Sequence, residues 1–170
     1  MRTKITPNII DIEASGLSRE SYPIEVGLAL ANGERYCQLI KPARDWTYWD
    51  KQAETVHGIS RNYLNHHGLN CTEVALELNR LLENQVVYSD GWVVDQPWLI
   101  KLFFAAGVHQ KFYISDLQMI LTERQMEIWH TSKEQVMLDL NLQRHRASFD
   151  AQVIQETYRR TLQDSDQSLS

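Results

Sequence analysis

The stretch DIEASGL, Asp11 to Leu17, ends an apolar segment with two acids one residue apart. Alternation along a strand sends Asp11 and Glu13 to one face and Ile10 and Ile12 to the other, so one face reads as core and the other as a site. Two carboxylates ~7 Å apart by strand rise repel unless positive charge lies between them, and a hard divalent cation with oxygen ligands meets that need. The same residues also fit a half-buried strand that ends at the surface, its acids solvated and Ser15-Gly16 turning the chain. The rest of the sequence has to separate the two.

Working outward, NIIDIEA near residues 8–14, PIEVGLALA near 23–31 and ERYCQLIKP near 34–42 read as strands. The last two are joined by Asn32-Gly33, a hairpin signal, which makes the three an antiparallel meander. The Trp-rich stretch ARDWTYWDKQAETVHGIS reads as a loop leading to a helix over Thr72 to Glu83, with Val74, Leu78, Leu81 and Leu82 on one stripe. VVYSD (86–90) and KFYIS (111–115) read as short strands around DQPWLIKLFFAAG, a helix with Pro97 in its first turn and Leu99, Leu102, Phe103 and Phe104 as core. Strand, helix and strand in succession imply parallel pairing. A last helix is expected over 146–162, carrying Ala147, Ala151, Ile154 and Tyr158 on one face. The order predicts an α/β fold, a mixed five-stranded sheet flanked by helices, with ligands gathering at strand ends. One domain spans residues 1–162, and the polar QDSDQSLS (163–170) reads as a flexible tail.

Two further acids stand where the first pair could use them. Asp95 opens the helix after the fourth strand, and Asp150 lies early in the last helix. Each alternatively serves its helix dipole. Five helical residues would put His145 and Asp150 about 140° apart, so His145 belongs in the preceding loop or first turn, leaning across the site while Asp150 points in. A histidine there, between Arg144 and Arg146, has the pKa range of a general base for water; otherwise it is a surface histidine in a basic turn. Trp46, Trp49 and Trp92 could stack on bases or pack the core. Lys41, Arg44, Lys51 and Arg146 could steer phosphates or be scattered surface cations. His57 is assigned no chemistry, and His66, His67, His109 and His130 read as surface residues.

DIEASGL resembles the first motif of the DEDDh-type 3′→5′ exonucleases, Asp-x-Glu followed by two small residues and Gly-Leu. HRASFDA resembles the last, His-x-Ala-x-x-Asp-Ala, and VDQPWL fits the middle one loosely. The similarity runs in order from about residue 8 to 158, and SYPIEVGLA, with Glu25, resembles the family's second strand. The middle motif often reads His-Asn-x-x-Phe-Asp, against Asp90-Gly91-Trp92-Val93-Val94-Asp95 here. The resemblance implies a ribonuclease H-like fold, as in the proofreading-exonuclease and ribonuclease T-like superfamily. It implies that Asp11, Glu13, Asp95 and Asp150 hold two Mg²⁺ or Mn²⁺ ions, with His145 as general base, and that nucleoside 5′-monophosphates leave the 3′ end of single-stranded DNA or RNA. The backbone of Ala14, Ser15 and Gly16 would then lie near the terminal nucleotide, with Leu17 wedged against its base and Trp92 and Arg146 as further substrate contacts. Homodimers are common among stand-alone members, and no feature of this sequence decides the point. The alternative is a non-catalytic nucleic-acid-binding domain on the same fold.

Composition agrees with a small enzyme. With 170 residues, 43% of them hydrophobic, the chain is long enough for one well-buried core. No run approaches the ~20 apolar residues of a membrane span or the pattern of a signal peptide, so a soluble, cytoplasmic protein is expected. Cys37 and Cys71 form no disulfide framework or zinc pattern and read as buried thiols. A net charge of −5 argues against tight, long-footprint nucleic-acid binding, though not against an enzyme that grips only a strand end, where bound cations supply positive charge.

Overall fold

The computed structural model describes residues 6–141 and 145–167. Its strands are β1 (Asn8–Ala14), β2 (Pro23–Ala29), β3 (Arg35–Leu39), β4 (Val86–Ser89) and β5 (Tyr113–Asp116). They form one sheet in the order β3-β2-β1-β4-β5. The β1–β2 and β2–β3 pairs are antiparallel, and the β1–β4 and β4–β5 pairs are parallel. This is the mixed five-stranded architecture expected from the sequence.

Helices cover both faces. On one lie α1 (Lys51–His57), α2 (Arg61–His67), α3 (Cys71–Leu82) and α4 (Trp92–Ala106); apolar side chains of α2, α3 and α4 share a core with Ile10 and Ile12 of β1 and Ile24, Val26 and Leu28 of β2, while α1 buries only His57. On the other lie α5 (Glu123–Leu140) and α6 (Ala147–Gln167), where Ala151, Ile154 and Tyr158 pack on Ile9 and Ala29. Helix starts follow their caps. Asp50 accepts from Gln52 N–H and Ser60 from Tyr63 N–H, while α3 and α5 open on reciprocal capping boxes, Asn70 with Glu73 and Thr122 with Gln125.

Several boundaries and burials depart from the sequence reading. The Trp-rich stretch is not all loop, since α1 and α2 occupy its end and the residues beyond it. α4 starts at Trp92, three residues before Asp95, so Pro97 falls in its second turn and denies Val93 C=O a helical partner. Phe104 is 87% exposed, unlike its neighbours Leu99, Leu102 and Phe103, because it lies outside their inward arc. Cys37 is exposed on β3, an edge strand, and only Cys71 is a buried thiol. α6 continues to Gln167, beyond the expected end at 162. Arg144 and residues 168–170 of the tail lie outside the described residues.

Candidate active site

Ile9 packs toward α6 while Ile10 and Ile12 pack toward α3 and α4, so pleat alternation turns Asp11 and Glu13 toward α6. In the antiparallel register, Asp11 faces Gly27 and Glu13 faces Glu25 on β2. A Cβ on Gly27 would stand 2.1 Å from the carbonyl carbon of Ala147, so the first turn of α6 rests directly on β2 at this point. That contact carries His145, just ahead of the helix, and Asp150, in its first turn, over the end of β1. Glu13, His145 and Asp150 each bring a potential ligand atom within 4.8 Å of the others. His145 holds a left-handed backbone, φ 59°, a conformation uncommon for residues other than glycine.

Asp95 enters from the other side of β1. It is buried, accepts the Ser89 hydroxyl at 2.5 Å, and also receives the Ile12 N–H. Burial nonetheless pushes its pKa up to about 7, with repulsion from Asp90 adding to the rise. Burial likewise raises Glu13 to about 7, assisted by Asp150, Glu25 and Asp95 and opposed by Arg146. Asp11 is driven well above the carboxylate range by burial and by the combined charges of Asp95, Glu13, Asp150 and Asp90. Four carboxylates therefore influence one another across the end of the sheet with too little positive charge to balance them. A donor set of hard oxygens in this condition fits a hard divalent cation such as Mg²⁺ or Mn²⁺, and among the described residues Glu13 and Asp150, with His145, lie close enough together to share one ion. The atypical Asp90 is ion-paired with Lys133 at 2.5 Å.

A cavity of about 410 Å³ opens beside these acids, lined by Glu13, Ala14, Leu17, His57, Trp98 and His145. Leu17 stands 84% exposed at its wall. The backbone around it is fixed by its own contacts: Ser15 N–H and Oγ bond to Tyr22, and Ser15 C=O accepts from Asp50 N–H. Ser15 therefore has its polar groups committed to the fold. Gly16, which also lines the cavity, is required for the approach of Tyr48 and Asp50, each 2.9 Å from where a Cβ would sit. Sequence reasoning missed His57 and Trp98 as cavity walls. His57 is 3% exposed, and its Nδ1 accepts the Ile59 N–H, so Nε2 carries the proton. That N–H has no partner among the described residues. Burial lowers the pKa of the ring and keeps it neutral.

Other expected contacts are placed differently. Trp46 is buried and stacks on Tyr22 at 5.2 Å, and Trp49 meets the edge of His57 while donating to Glu54. Both serve packing. Trp92 is half-buried, its Nε1 enclosed without a partner among the described residues. Arg146 donates through Nε and Nη2 to Glu25 rather than projecting freely. It also lines a groove of about 570 Å³ with Lys51, Thr55, Ser60 and Tyr63. His66, His67, His109 and His130 are exposed, and His130 does have an acid partner, Glu134 at 3.2 Å.

No protein-family model matches the chain, and no curated protein matches it. Solved structures do. One structure of exonuclease I superposes with a TM-score of 0.66 at 14% identity, covering 88% of this chain and 39% of that one. Escherichia coli exonuclease I in complex with a dT13 oligonucleotide gives 0.54 at 16% identity, over 65% of this chain and 27% of that one. The exonuclease I of Methylocaldum szegediense gives 0.56 at 14%, over 71% and 28%. The chain thus spans well under half the length of these exonucleases. Likeness at such identities is likeness of fold: the chain shares the α/β architecture of the exonuclease I proteins.

Proposed function

We propose that the protein is a metal-dependent 3′→5′ exonuclease that removes nucleoside 5′-monophosphates from single-stranded nucleic acid. The observation that carries this reading is the convergence of Asp11, Glu13, Asp95 and Asp150, with His145, on the end of β1 beside a cavity of nucleotide size. The fold shared with exonuclease I proteins, one of them crystallised with dT13, adds support.

Two Mg²⁺ or Mn²⁺ ions, held by the four carboxylates, would offset the charge developing on the attacking and leaving oxygens of the scissile phosphodiester. The chain's own residues do the rest. His145 accepts the proton of the attacking water. The cavity bounded by Leu17 and Trp98 seats the terminal base, and Leu17 wedges it from its neighbour. His57, its ring buried and its Nδ1 bonded to the Ile59 N–H, forms part of the cavity wall. Burial of Ser15 and its bonds to Tyr22 and Asp50 hold the β1 end rigid, so that Ala14 and Gly16 form a fixed floor.

The test is incubation with 5′-labelled single-stranded DNA and RNA of one sequence, with Mg²⁺, Mn²⁺ or EDTA, resolved on a denaturing gel. Metal-dependent shortening from the 3′ end is expected, and the faster substrate names the sugar. Intact strands under every metal, together with retention of the strand on a gel shift, would replace the enzyme by a binding domain.

A further inference from the structure

Glu25 is completely buried on β2, directly across the strand pair from Glu13. Its carboxylate is saturated. Arg146 Nη2 donates to Oε1 at 2.6 Å, Arg146 Nε bridges Oε1 at 3.0 Å and Oε2 at 3.2 Å, and the Ala147 N–H reaches Oε2 at 2.9 Å. Cys37 Sγ approaches Oε1 at 3.3 Å from β3. One acid thus grips two consecutive residues at the start of α6, where Gly27, two residues further along the same face, leaves no space for the helix to settle differently. The residue next to this grip is His145, in its left-handed conformation. Such a conformation persists where surrounding structure over-determines it, and here the described constraint on one side of it is the attachment of Arg146 and Ala147 to Glu25.

We propose that Glu25 and Arg146 form a positioning clamp that sets the ring of His145 against Glu13 and Asp150, so that Arg146 serves the histidine and not the nucleic-acid strand. The inference rests on the exonuclease reading for its kinetic consequence and on the fold alone for its structural one. A guanidinium is needed because its planar fork engages both carboxylate oxygens, fixing direction as well as distance. A lysine at 146 would keep the charge and lose the orientation. A displacement of about 1 Å at a reacting group costs on the order of a hundredfold in rate, while binding contacts elsewhere are untouched.

The experiment compares wild type with Arg146→Lys, Glu25→Gln and the double variant Glu25→Gln/Arg146→Gln, which strands no buried charge and so guards against simple unfolding. Four readouts are taken: kcat and KM on a single-stranded oligonucleotide with Mn²⁺, Mn²⁺ affinity, melting temperature, and the ¹H–¹⁵N ring spectrum of His145 in metal-free protein. In each folded variant kcat should fall about a hundredfold, with KM and Mn²⁺ affinity within about threefold of wild type and the His145 ring resonances shifted or broadened. A raised KM with unchanged kcat would make Arg146 a strand ligand and overturn the proposal. Ring resonances identical to wild type, or a double variant with full kcat, would overturn it equally. Should wild type cleave nothing, the exonuclease reading fails, and the metal-free ring spectrum alone decides the clamp.

Discussion

Replacing Asp95 by asparagine should stabilise the metal-free protein at alkaline pH while impairing its metal site. Asp95 is 3% exposed, and its pKa rises from the ordinary 3.8 to about 7. The folded state therefore holds a proton that the unfolded state releases between those two values, so stability falls as pH climbs from about 4 to about 7 and the full penalty applies above. That interval of about three pH units corresponds to about 4 kcal/mol. Asp11 and Asp95 repel each other, so part of the relief from neutralising one of them appears on the other, and about 2 kcal/mol is expected for the single change. For a chain of this size that is about 4–8 °C in melting temperature. Thermal unfolding in EDTA at about pH 8 should show this gain, and at about pH 3, below the ordinary 3.8 so that folded and unfolded wild type are both largely neutral at this position, the gain should nearly vanish. Added Mn²⁺ at pH 8 should raise the melting temperature of wild type well above that of the variant. If Asp95→Asn lowers the melting temperature at both pH values alike, Asp95 is an ordinary buried hydrogen-bonded side chain and the account of an unbalanced acidic cluster is wrong.

Mn²⁺ affinity should fall as pH drops below about 7, because Glu13 and Asp95 must each lose a proton held up to about that value before binding; calorimetry in two buffers of different ionisation enthalpy should register the released protons near pH 6. His145→Ala should slow cleavage by about 10²–10⁴ with Mn²⁺ affinity nearly unchanged. Equal loss of both would make His145 a ligand, which its place within 4.8 Å of Glu13 and Asp150 also permits. Gly27→Ala forces a methyl into the Ala147 backbone and should cost about 1–3 kcal/mol, read as a lower urea midpoint together with slower cleavage. Wild-type stability and rate in that variant would show that α6 is not held against β2 as described.

The acids of DIEASGL were legible because their chemistry contradicts their setting: alternation alone turns Asp11 and Glu13 to one face, and burial then makes their charge conspicuous. His145 and Asp150 were legible from angular spacing, which requires the histidine to precede the helix, as it does. α5 was not, since of its eighteen residues only Gln125 and Val136 are buried and no apolar stripe announces it. α1 and α2 are seven residues each, too short for periodicity to register. Arg146 stayed open between a phosphate contact and a scattered surface cation because its partner Glu25 lies 121 residues away, where local spacing says nothing.

The supporting shell nonetheless leaves a trace in the sequence once the strand register is known. On β1 the α6-facing pair is Asp11 and Glu13, and on β2 the facing pair is Gly27 and Glu25. The glycine stands opposite one catalytic candidate and admits the helix, and the glutamate stands opposite the other and receives the helix's first two donors. Four acids alone at one strand end would scatter under their own repulsion. What converts them into a site is a helix start placed against the sheet with little freedom, and Glu-x-Gly on β2 is the part of the sequence that places it.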